Sequence, residues 1–166
     1  VMDSVGELVK FDCSNNDLMT LDVSQCLKLE ELNCSGNQLM ELDVGHQTQL
    51  TQLDCSNNKL TELNVKQNGS LTSLICNDNQ LTTLDLSHNH SLSKLNCAKN
   101  RLACLDVTGI SGGTITANGN RRPIAVRTDG KFDLTTLSGF NVGKATNWNG
   151  GSVSGTILTV EDGKDE

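Results

Sequence analysis

The chain repeats one pattern of 21 residues five times in succession. Each copy reads LxxLxCxxNxLxxLDV followed by a variable polar loop, with few departures from the pattern. A fixed period of roughly 20 to 50 residues is typical of solenoids, in which each repeat contacts only its neighbours. Repeats 1 to 5 begin at Leu8, Leu29, Leu50, Leu71 and Leu92. This pattern constrains the fold more strongly than any other feature of the sequence.

The LxC part of each repeat predicts one short β-strand. Successive side chains of a strand point to opposite faces, so the leucine and the cysteine share a face. One strand cannot bury that face alone. The repeats are therefore expected to stack as parallel strands, about 4.8 Å apart, around a continuous apolar interior. The LxxLDV segment is too short for a full helix, and we expect the opposite side of the coil to be extended or turn-like.

These residues resemble the leucine-rich repeat family, in particular its bacterial 21-residue form with a cysteine ladder, as in internalin-like surface proteins. The resemblance covers Leu8 to about Gly112. It implies a right-handed solenoid with a parallel β-sheet on one face and little or no helix. It also implies a non-catalytic recognition role on an exported bacterial protein, either extracellular or at the cell surface.

The same resemblance implies that the asparagine of each repeat belongs to a buried ladder. Its side chain would bond backbone groups at the turn after each strand, as a polar group in an apolar interior requires. The ladder asparagines are Asn16, Asn37, Asn58, Asn79 and Asn100.

The cysteine column has three chemical interpretations besides a structural one. Zinc ligands converge tetrahedrally, which cysteines spaced one full repeat apart in a single column do not do. Adjacent Cα atoms about 5 Å apart permit a disulfide, but parallel inward Cβ vectors suit one badly. No histidine column accompanies the thiols to activate a nucleophile. We therefore expect small buried hydrophobic residues at Cys13, Cys34, Cys55, Cys76 and Cys97.

Two further cysteines lie outside this column. Cys26 follows repeat 1, in a column with Gln47, Asn68 and Asn89, and is expected to fold over the coil. Cys104 occupies an outward position and is expected to be exposed and oxidisable. An incidental surface thiol is favoured there over a redox or intermolecular role.

The aspartates of the LDV segments and the loop histidines are candidate cation ligands. The aspartates are expected to bond nearby turn backbone, with weak cation binding as the alternative. The histidines lack a third ligand and are expected to be solvated. We therefore predict no metal site and no cofactor. The residues concerned are Asp22, Asp43, Asn64, Asp85 and Asp106, and His46, His88 and His90.

The outward residues on either side of each strand leucine form the predicted binding surface. They are polar and nearly ring-free, and Ile75 is the one apolar residue in a column of Asp and Asn, which makes it a candidate contact. These tentative binding residues are Lys10, Asp12, Glu31, Asn33, Gln52, Asp54, Ser73, Ile75, Lys94 and Asn96.

The repeats divide the chain into four parts. Residues 1–7 are an N-terminal flank, 8–112 hold the five repeats, 110–121 a degenerate sixth repeat that caps the coil, and 122–166 a small β appendage. In the sixth repeat, Ile110, Ile115 and Asn118 are assigned to the first leucine, the cysteine and the asparagine. The chain is expected to be a piece of a larger protein.

The appendage is expected to contain two strands in PIAVRTDGKFDL and one in SVSGTILTV. Phe132, Phe140 and Trp148 are expected to pack together there. Because a lone three-stranded unit is marginally stable, we expect it to dock on the solenoid or to be truncated at Glu166.

Charge and composition exclude several functions. A net charge of -7 without a basic patch disfavours nucleic-acid binding. No apolar run approaches the roughly 18 residues that span a bilayer. No serine, histidine and acid recur together, and no Gly-rich phosphate loop follows a strand. We predict a module that binds a protein partner. The alternatives are a structural spacer or self-associating unit of an adhesin, forming a homo-oligomer, and a glycan-binding accessory region of an enzyme.

Overall fold

Six parallel strands, one from each turn of the coil, form a single sheet along one side of the molecule. The computed structural model describes residues 5–110, 113–120, 124–128 and 156–160. Among these residues the only helix is a single 3-10 turn, Val5–Glu7. The strands are β1 Lys10–Asp12, β2 Glu31–Asn33, β3 Gln52–Asp54, β4 Ser73–Ile75, β5 Lys94–Asn96, β6 Cys104–Asp106, β7 Thr114–Thr116, β8 Ile124–Thr128 and β9 Thr156–Val160. The order in the sheet is β1-β2-β3-β4-β5-β7. The predicted parallel solenoid with little helix is confirmed.

Neighbouring strands pair in the register that the repeat predicts. The central residues Leu32, Leu53 and Leu74 of β2, β3 and β4 face one another, each one repeat length from the next. Because side chains alternate along a strand, this register places every central side chain inside the coil and its two neighbours outside.

The interior is filled by the leucine and cysteine columns. From repeat 2 onwards these side chains are almost completely buried, with 1% of Leu53 and 0% of Cys55 exposed. Burying one leucine side chain contributes about 1.5 to 3 kcal/mol to stability. In repeat 1, which has no turn on its other side among the described residues, the same columns are only partly buried. Those residues are Leu8, Phe11, Cys13, Leu18 and Leu21.

From repeat 2 onwards, the asparagine after the strand links consecutive turns. The side-chain amide of Asn58 donates to the carbonyl oxygens of Cys34, Cys55 and Ser56 at 3.0, 3.2 and 3.2 Å. Its side-chain oxygen accepts the Leu39 N–H at 3.0 Å, so every polar atom of the amide is satisfied. The predicted asparagine ladder is confirmed in repeats 2 to 5, but the prediction that Asn16 is buried was wrong, because Asn16 is exposed and has no described turn before it to bond. The same pattern of bonds is made by Asn37, Asn79 and Asn100.

The residue before each ladder asparagine adopts a left-handed conformation. Asparagine, aspartate and glycine tolerate this region best, whereas Lys99, with a φ of 50°, is a type that seldom does. At Gly36 an added Cβ would lie 2.6 Å from the side-chain oxygen of Asn15, so that exposed side chain would have to move to admit it. The six residues are Asn15, Gly36, Asn57, Asp78, Lys99 and Gly119.

The other side of the coil is formed by the LxxLDV segments, which contain neither helix nor strand in repeats 1 to 4. In repeat 5 this segment is β6, which pairs in parallel with β8, and β8 pairs antiparallel with β9. Leu105 of β6 faces Val126 of β8, which again lies one repeat length further along the chain. The backbone of β8 therefore continues the second column into a sixth turn. The division at residue 122 stays a prediction, and it falls between the two segments of that turn.

The predicted register of the sixth repeat was wrong. Ile115 pairs with Leu95 and occupies the leucine column, not the cysteine column. Ala117, which is buried, follows in the place of the cysteine. The offset between these turns is shorter by a single residue than the offset between the earlier turns, and the sequence Ile-Thr-Ala reproduces Leu-Asn-Cys in burial.

Two other assignments change with this register. The ladder asparagine of the sixth turn is Asn120, because its oxygen accepts the Leu102 N–H at 3.0 Å, and Asn118 is exposed. Ile110 donates its N–H to Val107, as Cys26 does to Val23, so it extends the Cys26 column instead of being a first leucine.

Parts of the predicted appendage lie outside the described residues. The strand predicted in SVSGTILTV corresponds to β9, and the first strand of PIAVRTDGKFDL to β8. The second strand of that segment and Phe132, Phe140 and Trp148 are not among the described residues. In the part of the chain that the structure describes, no helix has the length and hydrophobicity needed to cross a membrane.

Replacement of Asn58 by alanine should lower the free energy of unfolding by about 1 to 3 kcal/mol, because the carbonyl and N–H groups that it bonds stay buried. Urea denaturation measures this loss. Asn16→Ala is the matched control. Asn16 is exposed and bonds only two carbonyls of its own repeat, so its loss should be much smaller. Equal losses would show that the bonds between turns do not carry the effect.

Candidate functional site

The outward side chains of β1 to β5 line one open groove of about 500 Å³, which we call the strand-face groove. It brings together nine of the ten predicted binding residues. Asn96 is not among the lining residues, although its register with Ile75 places it on the same face. The nine are Lys10, Asp12, Glu31, Asn33, Gln52, Asp54, Ser73, Ile75 and Lys94.

Charges of both signs line this groove, with lysines on β1 and β5 at its two ends and carboxylates on β1, β2 and β3. At its N-terminal end the Lys10 ammonium lies 2.6 Å from a Glu31 carboxylate oxygen. The hydrogen bond and charge of Glu31 raise the pKa of Lys10 above its ordinary value. The Lys10 side chain is 67% exposed and the Glu31 side chain 35%, so the pair adds little stability and both groups stay accessible to a partner.

Several groove residues also stabilise the turn that follows their strand. The Asp54 carboxylate accepts the Ser56 N–H at 3.0 Å and the Ser56 hydroxyl at 2.6 Å. The Asp12 carboxylate accepts the Ser14 N–H at 2.9 Å, and this hydrogen bond lowers the pKa of Asp12. Asn33 and Asn96 act in the same way. Some of the side-chain oxygens that were predicted to bind a partner are therefore already hydrogen-bonded within the protein.

This second role was missed in the sequence, although a signal exists. Asp or Asn two residues before a serine is typical of a turn in which the side chain accepts that backbone N–H. The pattern recurs in repeats 1 to 3 as Asp12, Asn33 and Asp54 before Ser14, Ser35 and Ser56.

The cysteine column is chemically inert. All seven cysteines lie within the described residues, and all are free. Burial raises the pKa of the Cys34 and Cys97 thiols to about 12, and burial also raises the pKa of Cys55 well above its ordinary value. Because the thiolate is the reactive form, these side chains act as small buried hydrophobic residues. The predicted cysteine ladder is confirmed.

A second polar ladder occupies the Cys26 column and was not recognised in the sequence. The Asn68 amide donates to the carbonyl oxygens of Val44 and Gln47 at 2.9 and 2.8 Å, and Asn89 repeats this one turn later. Gln47, Asn68 and Asn89 have no exposed surface, and their side-chain oxygens have no partner among the described residues. This ladder links the loops between repeats as the first one links the turns after the strands.

The LDV segments line a second open groove of about 790 Å³. It is larger than the strand-face groove, but its aspartates bond the backbone two residues ahead. Asp85 accepts the Ser87 N–H at 3.0 Å and pairs with Lys66 at 2.9 Å, and the hydrogen bonds from Ser87, followed by Lys66, lower the pKa of Asp85. The expectation that this column bonds turn backbone is confirmed at Asp22, Asp43, Asn64, Asp85 and Asp106.

The structure offers no arrangement for a metal ion in the part that it describes. No three His, Cys, Asp or Glu side chains of that part converge on one point. His46, His88 and His90 are exposed on the loops, and the Ser87 hydroxyl lies 3.0 Å from a ring nitrogen of His88.

A thiol reagent should label native Cys104 rapidly, because its side chain is exposed. Cys13, which is half-buried with a pKa raised mainly by burial, should react more slowly. The other ladder cysteines should react only on unfolding. Mass spectrometry of the labelled peptides measures each rate, and Cys104→Ser removes the fast phase. Rapid labelling of Cys55 in the native protein would contradict the ladder.

Stability should fall with rising pH as the ladder thiols ionise in the unfolded chain. A thiol with an ordinary pKa of 9.0 and a folded pKa of about 12 contributes stability that is complete below pH 9 and is lost as pH rises towards 12. At pH 10 the loss is about 1.4 kcal/mol for each such thiol. The difference in unfolding free energy between pH 8 and pH 10 should therefore be smaller in Cys34→Ala by about that amount. Lysine titration is common to both proteins, and an unchanged difference would refute the role of the thiol.

Comparisons with known proteins add the last observation. No family model and no curated protein matches the chain. Among solved structures, the internalin InlF of Listeria monocytogenes shares 18% identity with a TM-score of 0.55, over 81% of this chain and 47% of that one. The functional domain of InlJ from Listeria monocytogenes, which includes a cysteine ladder, shares 33% identity with a TM-score of 0.46, over 72% of this chain and 37% of that one. This chain spans less than half of the length of either.

The similarity to InlF concerns the fold, which in this chain combines a parallel sheet with leucines and asparagines buried in the interior of the coil. The chain is a leucine-rich repeat solenoid with the fold of the internalins, and its repeats carry a cysteine ladder.

Proposed function

We propose that this chain is a non-catalytic recognition module that binds a protein partner through the strand-face groove. The observation that carries the proposal is the groove itself. Five consecutive strands each contribute outward polar side chains to one continuous surface, on a backbone held rigid by two ladders of hydrogen bonds. A rigid surface loses little conformational entropy when a partner binds.

The chemistry of the groove favours a protein over other partners. It carries charges of both signs, with Lys10 and Lys94 on its two outer strands and carboxylates on β1 to β3, so it offers no continuous basic surface for a nucleic acid. Phe11 is the one aromatic residue along it, and its side chain packs against the core. The groove therefore lacks an outward ring on which a sugar would stack. Mixed charges with small polar side chains are suited to the polar surface of another protein.

The proposed location is outside the cell or at a bacterial surface. InlF is an internalin of a bacterium, and this chain has its fold. The ladder cysteines are buried and have raised pKa values, so they would resist oxidation in such a compartment. The role of the whole protein, of which this chain would be one part, belongs to the same proposal.

A photo-cross-linking amino acid at Gln52 tests the proposal, because this exposed residue lies in the middle of the groove. Incubated with bacterial or host cells and irradiated, the Gln52 variant should form protease-sensitive adducts with a cell-surface protein. The matched control carries the same amino acid at Thr61, which is exposed and does not line the groove. Thr61 should give no adducts.

Other outcomes would identify the alternatives. Adducts between two copies of the chain from Gln52 would indicate a self-associating unit. Equal adducts from Gln52 and Thr61 would show that the strand face is not the binding surface. Adducts that resist protease and contain only carbohydrate would indicate a glycan-binding region.

A further inference from the structure

One turn of the solenoid lacks a hydrogen bond that its neighbours make. In repeats 1, 2, 3 and 5 the last residue of the strand is Asp or Asn, and its side-chain oxygen accepts the N–H two residues ahead. In repeat 4 this position is Ile75, which has no oxygen to offer. Among the described residues, the Asn77 N–H has no hydrogen-bond partner. Among repeats 1 to 5, the strand face thus carries a free backbone donor at this position only in repeat 4.

The residues that flank this donor belong to the same face. Ile75 is half-buried in the strand-face groove, with Asp54 beside it on β3 and Asn96 beside it on β5. The turn of repeat 3 shows where the donor points, since the Ser56 N–H lies 3.0 Å from the side-chain oxygen of Asp54. By the same geometry the Asn77 N–H points to the side of the strand that carries Ile75.

A free cation lies beside the other end of β4, on the neighbouring strand β5. Lys94 lines the groove and stands beside Ser73, the first residue of β4. Of the six lysines whose side chains the structure describes, five have an ion pair or a hydrogen bond, and Lys94 has neither. The ammonium of Lys94 is therefore available to an anion from outside the chain.

We propose that Ile75, the Asn77 N–H and Lys94 form the recognition point of the groove. It takes a protein segment that presents an apolar side chain to Ile75, a backbone carbonyl oxygen to the Asn77 N–H, and a carboxylate to Lys94. The inference rests on the proposed function and names the chemistry of the partner at that surface. An isolated apolar residue is not by itself a site, but here it coincides with an unsatisfied donor and an unpaired charge.

The charges around Ile75 fix where the acidic group of the segment lies. Asp54 stands directly beside Ile75, and both hydrogen bonds of its carboxylate are made to its own turn by Oδ1. An incoming carboxylate near Asp54 would be repelled, whereas one near Lys94 is attracted. The acidic group of the partner therefore lies towards the beginning of β4, and the carbonyl lies at its end.

Amide exchange tests whether the donor is free. In the native protein the protection factor of the Asn77 amide should be about tenfold or more below that of Ser56. Ile75→Asn supplies the oxygen that Asn33 and Asn96 provide in their turns, so it should raise the Asn77 protection factor to the Ser56 value. Equal protection at Asn77 and Ser56 in the unsubstituted chain would overturn the proposal.

Titration with a short peptide tests the ligand chemistry. The probes are Asp-Gly-Leu-Gly-Gly and Gly-Gly-Leu-Gly-Asp, both blocked at both ends, so that a single acid can meet Lys94 whichever way the segment runs along the strand. NMR spectra of the full chain with one of the two probes should show shifts of the Asn77 amide and the Ile75 methyl groups. Versions of that probe with Asn for the acid, or Ala for the leucine, should shift them much less.

Variants of the chain complete the test. Lys94→Gln should weaken the peptide-induced shifts, and Ile75→Asn should abolish those at Asn77, because the donor is then occupied. Glu62→Gln, in the second groove, should leave them unchanged. Absence of shifts at Asn77 and Ile75, or an equal response to the Asn-containing peptide, would overturn this assignment.

The two proposals fail separately. Protein adducts from the Gln52 cross-linker without a peptide response would leave the strand face as the binding surface and remove the site at Ile75. A peptide response without adducts would leave the local chemistry of the site and remove the proposed function.

Discussion

The hydrogen bonds of the ladder asparagines are the interaction on which the rest of the structure depends. Each strand such as β3 is only three residues long, so the hydrogen bonds between strands satisfy only part of the backbone N–H and C=O groups of a turn. Asn58 satisfies four of them, in two consecutive turns, with one side chain. Leucines can then close around the turn without leaving buried carbonyls unpaired. The tight left-handed residue that precedes each asparagine and the uniform register of the strands both follow from this fixed geometry.

Side chains of the strand face also form hydrogen bonds within the protein. Asp54 and its counterparts use their oxygens to hold the turn after each strand, so much of the strand face is chemically satisfied before any partner arrives. The hydrogen-bonding groups that remain available to a partner are unevenly distributed along the strand face. The proposed recognition point lies at the one turn among the first five where this internal bond is missing. Stability and recognition thus draw on the same positions, and a residue that improves the turn removes a donor from the groove.

The five repeats could be predicted closely because periodic patterns report a period directly. The columns of Leu53, Cys55 and Asn58 follow from spacing and from the demands of a shared interior. The sixth turn could not be placed, because it departs from the period by a single residue and its columns hold Ile115, Ala117 and Asn120. Nor did the sequence reveal the second ladder, since Gln47 and Asn68 read as loop residues until the stacked backbone supplies carbonyls for them. The bond between Asp54 and its own turn can be recognised from a local sequence pattern. That this bond occupies an oxygen on the predicted binding surface becomes apparent only in the folded protein.

The first ladder also gives the coil a direction. Each asparagine reaches back to the turn before it: Asn37 bonds the Cys13 carbonyl and the Leu18 N–H of repeat 1, whereas Asn16 bonds only its own repeat. In this ladder each turn therefore receives hydrogen bonds from the asparagine of the next turn, and its own asparagine makes none to that next turn. All the bonds of this ladder that join two turns therefore run in the same direction, from the asparagine side chain of one turn to the backbone of the turn before it. Loss of a ladder asparagine such as Asn58 therefore leaves backbone groups without partners in its own turn and in the turn before it, but in no later turn.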